Sequence, residues 1–276
     1  MTTPIKFAYF GTPKVAADTL AGLIAHGMVP ALVVTAPDAP RGRGLVMTPS
    51  ETRVVAESHG ISVLTPEVLN EAVVAAIREY HCEYGVVVAY GKIFPQTLIS
   101  AFPKGAINVH YSLLPKYRGA TPMEAALLAG DAETGVTVQR MALELDAGDI
   151  LAQETAPIAP EETARELRPR LIELGTALLV EALPCLERGE IAARPQDAAL
   201  ATRARKFKKQ DGQLNLSRPA EENWRAYRAY ADTIGTYFFK DDVRYKITKA
   251  SLRDGRFIIE RVIPEGRRET DWPTNR

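Results

Sequence analysis

Short apolar runs alternate with amphipathic segments over the first two thirds of the chain. The run "IKFAYF" is followed by a Gly-Thr-Pro turn and by apolar residues at helical spacing, and "PALVVTA" and "YGVVVAY" begin similar units. Fully apolar runs of this length, alternating with helical patterns, are typical of parallel strands buried on both faces. The strands predicted in this way are residues 5–10, 30–36, 61–66, 84–90, 135–141 and 148–158, together with one that begins at residue 105.

Helices are predicted between these strands. The first runs to about His26, with Thr12 as its candidate N-cap residue and Pro13 at its first position. The longest, from about Glu161 to Gly189, has leucines at helical spacing that would pack on the sheet. The others are predicted at about 50–59, 66–80 and 121–130. The pattern therefore predicts an α/β fold with a Rossmann-like, mostly parallel sheet covered by helices on both faces.

The last third of the chain differs in character. The stretch "RPQDAALATRARKFKKQDG" is polar and basic, and beyond it a predicted helix at about 218–231 precedes the short apolar runs "TYFFK", "VRYKITKASL" and "RFIIERVI". These runs predict a small β-rich module. We therefore expect an α/β domain over residues 1–189, a linker over 190–210 and a C-terminal module over 211–276.

Composition narrows the class of protein. The chain has 276 residues, of which 46% are hydrophobic and 25% charged, and no apolar run approaches the roughly 20 residues that cross a bilayer. The N-terminus lacks the basic start, apolar core and cleavage site of a signal peptide, so we predict an untargeted, cytoplasmic protein. Two cysteines, Cys82 and Cys185, are too few for a disulfide framework. We interpret both as structural thiols.

The net charge of zero conceals an uneven distribution. Residues 201–276 carry 18 Lys and Arg against 11 Asp and Glu, and residues 1–200 carry the opposite excess. A basic C-terminal module suits a polyanionic partner, although basic surfaces are more often simply solvated.

Common cofactor and nucleophile motifs do not occur in the sequence. The first strand and helix share one glycine where a dinucleotide site needs three, and neither a P-loop nor a G-x-S-x-G elbow occurs. The four histidines have no metal-ligand spacing, so no metal site is predicted.

Two polar residues end the strand that begins at residue 105. Asn108 and His110 lie two positions apart, so their side chains project from the same face of the strand. Asp146 and Asp149 flank Gly148 in a later connection between strands. Because ligands bind at the carboxyl ends of parallel strands, these groups should converge into a general base with an oxyanion donor, a combination suited to acyl transfer. A buried structural pair at 108 and 110, and an ordinary turn at Asp149, are the alternatives.

Five longer motifs together resemble one family. "FAYFGTP", "PDAPRGRG", "VVVAYGKIFP", "INVHYSLLPKYRGATP" and "AGDAETGVTVQRMALELDAGDIL" are similar to the methionyl-tRNA formyltransferase family, within the folate-dependent formyltransferases, over most of residues 5–210. The resemblance implies transfer of a formyl group from 10-formyltetrahydrofolate, as co-substrate, to the α-amino group of methionine on initiator tRNA, for translation initiation. Residues 1–189 would then be the catalytic domain, and we expect a monomer with no metal and no membrane partner.

The resemblance also implies residue roles. Asn108, His110 and Asp146 match the family's catalytic residues. The folate side would be formed by Val88, Tyr90, Ile93, Ser112, Leu113, Leu114 and Pro115. Thr12, Arg41 and Arg43 match substrate or tRNA positions, although arginines on a glycine-rich loop can also be solvated charges.

Two departures from the family pattern stand out. Leu45, Val46 and Met47 follow "RGRG" where lysines are common, and "VRYKITKASLRDG" runs almost directly into "RFIIERVIPEG", which predicts a shortened, reduced OB-like module. A folate-dependent formyltransferase acting on a nucleotide-linked amino sugar is the alternative enzyme, but it requires no basic C-terminal module. A non-catalytic RNA-binding protein would explain that module but not Asn108, His110 and Asp146 together.

Overall fold

The computed structural model describes residues 5–42 and 44–273. Its strands are β1 (Phe7–Gly11), β2 (Leu32–Val34), β3 (Ala39–Arg41), β4 (Val46–Thr48), β5 (Val63–Leu64), β6 (Tyr84–Val88), β7 (Ala106–His110), β8 (Arg118–Gly119), β9 (Glu133–Arg140), β10 (Ile150–Pro157), β11 (Arg203–Ala204), β12 (Thr236–Lys240), β13 (Val243–Arg253), β14 (Arg256–Pro264) and β15 (Thr270–Asp271). Its α-helices are α1 (Lys14–Ala25), α2 (Glu51–Ser58), α3 (Glu71–Arg78), α4 (Gln96–Ile99), α5 (Pro122–Ala129), α6 (Ala164–Glu187) and α7 (Ala220–Tyr230).

A mostly parallel sheet carries the first part of the chain. Within the described residues its strand order is β10-β9-β7-β6-β1-β2-β5, with parallel pairing from β5 through β7 and antiparallel pairing of β7 with β9. All residues of β1 and β6 are buried, as expected for central strands covered on both faces. Aromatic rings pack on this sheet, and Phe10 meets Phe94 edge-on with ring centroids 4.9 Å apart. The predicted α/β fold is confirmed.

The chain folds into two compact units that interleave along the sequence. The first lies within residues 1–115, 135–154 and 171–201, and the second within 116–134, 155–170 and 202–276. Among the described residues, the predicted catalytic and folate residues belong to the first unit, and so do Thr12 and Arg41. The predicted division at residues 189 and 210 follows the chain rather than these units, and it stays a prediction.

A four-stranded antiparallel sheet forms part of the second unit, in the order β12-β13-β14-β15. Its core contains Phe238, Ile247 and Val262, with Trp272 edge-on to Phe238 at 5.1 Å between ring centroids. Arg228 of α7 is buried in the same unit and donates to the carbonyl oxygens of Ala159 and Glu162. The predicted C-terminal β-rich module is therefore present as an antiparallel sheet.

Local details correct two expectations. Thr12 does not cap α1, because Pro13 takes the N-cap position and no side chain accepts a capping hydrogen bond there. The segment predicted as a glycine- and proline-rich loop forms the antiparallel hairpin of β3 and β4, and Gly42 (φ 70°) lies in its turn. Glycine adopts this left-handed conformation without steric cost, which allows the chain to reverse. No helix in the described part of the chain is both long and apolar enough to span a membrane.

Candidate active site

The polar end of β7 lies against β9. Val87 of β6 pairs with Asn108, and the antiparallel neighbour pairs Asn108 with Gln139 and His110 with Thr137. Directly opposed residues of antiparallel strands project from the same face. Asn108, His110, Thr137 and Gln139 therefore share one face, where Asn108 is half-buried and His110 is buried.

Asp146 is the acidic residue that reaches this face. Its Oδ2 atom lies 3.7 Å from Nδ1 of His110, and its Oδ1 atom accepts a hydrogen bond from Nε2 of Gln139 at 3.1 Å. Asp149 instead contributes its backbone carbonyl, which accepts from the N–H of Arg140 at 2.9 Å. The two acidic residues of "DAGD" thus differ in place, and Asp146 is the partner of His110.

Backbone geometry explains why Asp146 turns inward. Its φ is 53°, in the left-handed region that Asp tolerates better than most residues. A Cβ atom at Gly148 would lie 1.8 Å from the carbonyl oxygen of Arg140, so only glycine allows the turn to pass so close to β9.

The segment after β6 was expected to meet folate. Val88 and Tyr90 are buried, whereas 90% of Ile93 is exposed. The Tyr90 ring packs edge-on against Phe10 at 5.6 Å, and its buried hydroxyl has no hydrogen-bond partner among the described residues. Burial raises the pKa of Tyr90 to about 12. The segment thus combines two buried side chains, Val88 and Tyr90, with the unsatisfied hydroxyl of Tyr90 and the exposed aliphatic side chain of Ile93.

The loop after β7 was the second predicted folate element, and it consists of Ser112, Leu113, Leu114 and Pro115. Thr137 ties this loop to β9, because its hydroxyl donates to the Ser112 carbonyl at 2.6 Å and accepts from the Leu114 N–H at 3.2 Å. Nε2 of Gln153 donates to the Leu114 carbonyl at 3.0 Å. The loop is therefore held in place from β9, which also carries Gln139, and from β10, which carries Gln153.

The predicted tRNA or substrate residues differ in setting. The Thr12 hydroxyl donates to the Tyr90 carbonyl at 3.4 Å and accepts from the Ala36 N–H at 3.3 Å, so it lies beside the segment after β6. Arg41 forms an exposed ion pair with Glu51, in which its guanidinium donates a hydrogen bond to the Glu51 carboxylate. This hydrogen bond holds the pKa of Glu51 below its ordinary value. Arg43 lies outside the described residues.

Comparison with known proteins identifies the family. A profile of the formyl transferase family matches residues 5–183. The methionyl-tRNA formyltransferase of Citrifermentans bemidjiense is 39% identical over 266 residues, which cover 96% of this chain and 84% of that protein. The methionyl-tRNA formyltransferase of Nitratidesulfovibrio vulgaris strain DP4 is 43% identical over 270 residues, with 95% and 81% covered. The chain belongs to the methionyl-tRNA formyltransferase family.

Solved structures of lower identity share the fold of this family member. An N-formyltransferase from Helicobacter canadensis, in complex with folinic acid and dTDP-3-aminofucose, superposes with a TM-score of 0.67 at 18% identity, over 91% of this chain and 88% of that one. HypX from Aquifex aeolicus, in complex with tetrahydrofolic acid, gives 0.68 at 15% identity, over 98% of this chain and 46% of that one. At these identities the likeness extends to the fold alone.

Sequence reasoning missed several polar residues of the site. Thr137 and Gln139 were available from the strand "GVTVQRM", because they are polar at alternate positions of an apolar run, the same signal that indicated Asn108 and His110. Gln196 also meets the site, since its Nε2 atom donates to the carbonyl oxygens of Asp146 and Gly148 at 2.8 and 2.7 Å. It comes from the polar stretch interpreted as a linker, which carries no periodic signal.

Proposed function

We propose that the protein transfers a formyl group from 10-formyltetrahydrofolate to the α-amino group of methionyl initiator tRNA. The observation that carries the proposal is the convergence of Asn108, His110 and Asp146 at the end of β7, in a chain of the methionyl-tRNA formyltransferase family. The amino-sugar enzymes of similar fold are 18–20% identical to the chain, and this likeness gives no support for a sugar substrate.

The three residues have distinct proposed roles. The amine of the acceptor has a reference pKa of about 7.7–8, so a base is useful near neutral pH. His110 is that base: it takes the proton from the attacking nitrogen as that nitrogen bonds to the formyl carbon, and it returns a proton to the leaving nitrogen of the folate as the bond between that nitrogen and the formyl carbon breaks. Asn108 donates an amide hydrogen to the charge that develops on the formyl oxygen. Asp146 orients the imidazole of His110 through Nδ1.

The residues of the folate side fit a flat, partly polar ligand. The exposed side chain of Ile93 offers apolar contact area, and the unsatisfied hydroxyl of Tyr90 offers a hydrogen bond within an otherwise apolar environment. We propose that Val88, Tyr90 and Ile93 contact the folate on one side and that the loop of Ser112, Leu113, Leu114 and Pro115 bounds it on the other. When bound, 10-formyltetrahydrofolate supplies the formyl carbon. No metal is invoked.

The tRNA would be recognised by two parts of the chain. We propose that Thr12, Arg41 and Arg43 act at the acceptor end, and that residues 211–276 contact the tRNA body through phosphates. The excess of basic residues over 201–276 supports this division. We further propose that the enzyme is cytoplasmic and acts as a monomer.

A direct assay tests the proposed reaction. We expect formylated methionine on initiator tRNA when the protein is incubated with 10-formyltetrahydrofolate and methionyl initiator tRNA. Nucleotide-linked amino sugars serve as competing acceptors in parallel reactions. Formylation of the sugars without formylation of the tRNA would contradict the proposal, and so would folate binding without turnover on either acceptor.

A second experiment tests the phosphate contacts of the C-terminal module. Arg244 and Lys246 are exposed on one face of β13, where Arg244 lies 4.0 Å above the centroid of the Tyr237 ring. Replacing both by alanine should weaken tRNA binding and reduce the slope of log K against log salt by roughly one to two, since each phosphate contact contributes about 0.7–0.9. Fluorescence titration at several salt concentrations measures the slope.

The matched control removes two cations that already have an acidic partner. Lys249 and Arg253 both pair with Glu260, at 2.8 and 3.0 Å. Their double alanine variant changes the net charge equally but should alter the slope less. Equal slopes for the two variants would mean that only the overall charge of the module matters, and an unchanged slope in both would remove these residues from the tRNA surface.

A further inference from the structure

Gln196 makes an arrangement of hydrogen bonds that a surface glutamine does not need. Its single NH₂ group donates to two carbonyl oxygens, those of Asp146 at 2.8 Å and Gly148 at 2.7 Å. These two carbonyls belong to the turn that presents the Asp146 carboxylate to His110. The two shortest hydrogen bonds of the amide therefore both go to one turn.

The orientation of two neighbouring amides is fixed by this arrangement. Only the NH₂ side of Gln196 can face two carbonyl oxygens, because its own oxygen would be repelled there. Likewise Nε2 of the buried Gln139 must face the Asp146 carboxylate, which it meets at 3.1 Å. The oxygen of Gln139 then faces Nε2 of Gln196 at 3.3 Å. Backbone and side chain of Asp146 are thus held from two directions.

The chain that carries Gln196 is itself anchored. Arg194, two residues earlier, exchanges backbone hydrogen bonds with Ile150 at 2.8 and 2.9 Å, so the segment pairs with the beginning of β10. Ile150 lies four residues after Asp146. The backbone pairing of Arg194 with Ile150 therefore fixes the segment that carries Gln196 close to the turn that carries Asp146, within reach of the Gln196 side chain.

We propose that Gln196, together with Gln139, is a positioning residue for Asp146 in the formyl transfer reaction. The proposal rests on the proposed function, in which Asp146 orients His110. The backbone of a residue in a left-handed turn is not fixed by the hydrogen bonds of a strand, so the direction of the Asp146 carboxylate depends on the hydrogen bonds that Gln139 and Gln196 make to it and to its turn. Without Gln196, the carboxylate would sample positions farther from Nδ1 of His110, and the imidazole would lose its alignment.

The test removes the hydrogen bonds of Gln196 while keeping its length. We expect Gln196→Met to lower kcat by roughly 10- to 100-fold, because small displacements of a catalytic group have effects of this size. The KM values for folate and for methionyl-tRNA should change by less than about twofold, since Gln196 is not proposed to touch either substrate. Gln96→Met is the matched control, because Gln96 is an exposed glutamine that bonds only locally, to Ser100 at 2.9 Å.

A double variant distinguishes positioning from a general effect on structure. If Gln196 acts through Asp146, then Gln196→Met should add little further loss of kcat in the Asp146→Asn background. Additive losses would show that Gln196 acts independently of Asp146 and would overturn the proposal. The kcat of Gln196→Glu should be no higher than that of Gln196→Met, because a carboxylate would face two carbonyl oxygens. A wild-type kcat in either single variant would also overturn the proposal.

Two further measurements distinguish a loss of positioning from a loss of folding. Thermal unfolding of each variant shows whether it is folded at the assay temperature. Gln196→Asn keeps a polar amide that is too short to reach both carbonyls, and it should lose kcat like Gln196→Met. Wild-type protein is assayed beside the variants. Inactive wild type would refute the proposed function itself, whereas active wild type with equally active, folded variants would refute only the role of Gln196.

Discussion

Alanine at His110 or at Asn108 should lower kcat by roughly 100-fold or more in each case. His110 is buried, and its Nδ1 atom lies 3.7 Å from the Asp146 carboxylate, which we propose orients the imidazole for proton transfer. Asn108 is half-buried on the same face, so its amide is accessible to a ligand while Val109 between them points into the core. Steady-state rates with both substrates varied measure kcat, and equilibrium dialysis measures folate binding, which should persist.

Matched controls exclude a general loss of structure. His59 is an exposed histidine at the end of α2, and Asn70 caps α3 by accepting from the N–H of Val73. Alanine at Asn70 should cost about 1 kcal/mol of stability with kcat retained, and alanine at His59 should leave both nearly unchanged. Folded Asn108 and His110 variants with kcat close to wild type would return the pair to a structural role.

An element of the fold can be predicted from the sequence when the residues of that element alone carry the signal. The central strands β1 and β6 were predicted because every one of their residues is buried, and a continuous apolar run reports this directly. The hairpin of β3 and β4 was missed, because Pro40 and the glycines indicate a loop although they also permit a short exposed ladder. Thr12 was misassigned as a cap because Pro13 preceding α1 supplied the N-cap position itself.

The same holds for the candidate site: some of its residues can be predicted from their own strand, and others only from contacts between distant parts of the chain. The shared face of Asn108 and His110 follows from the two-residue period of a strand, and Gln139 could have been found by the same rule on β9. The residues of "DAGD" alone do not show which of Asp146 and Asp149 lies beside His110. The choice depends on a left-handed backbone at Asp146 and on the close approach of Gly148 to Arg140. Gln196 depends on a contact across 50 residues of sequence, which no local pattern reports.

Asparagine at Asp146 should lower kcat far more than asparagine at Asp149. Asp146→Asn keeps the shape of the side chain but replaces the carboxylate beside His110 with an amide, which can present its NH₂ group to Nδ1 and favour the wrong tautomer. We expect a loss of roughly 100-fold or more, by analogy with other histidine bases that lose an orienting carboxylate. Asp149→Asn leaves the backbone carbonyl that accepts from Arg140, so kcat should fall by less than about threefold.

The pair of variants is its own control, because both remove one negative charge from the same short turn. Any effect of net charge on tRNA binding is therefore common to the two and appears in KM rather than in the ratio of their kcat values. Thermal unfolding should show similar stability, since neither change removes apolar packing. Equal and small losses of kcat would mean that "DAGD" serves only as a turn, and a larger loss at Asp149 would transfer the proposed role to that residue. A large, selective loss at Asp146 would instead support the contact at 3.7 Å as the one that orients the base.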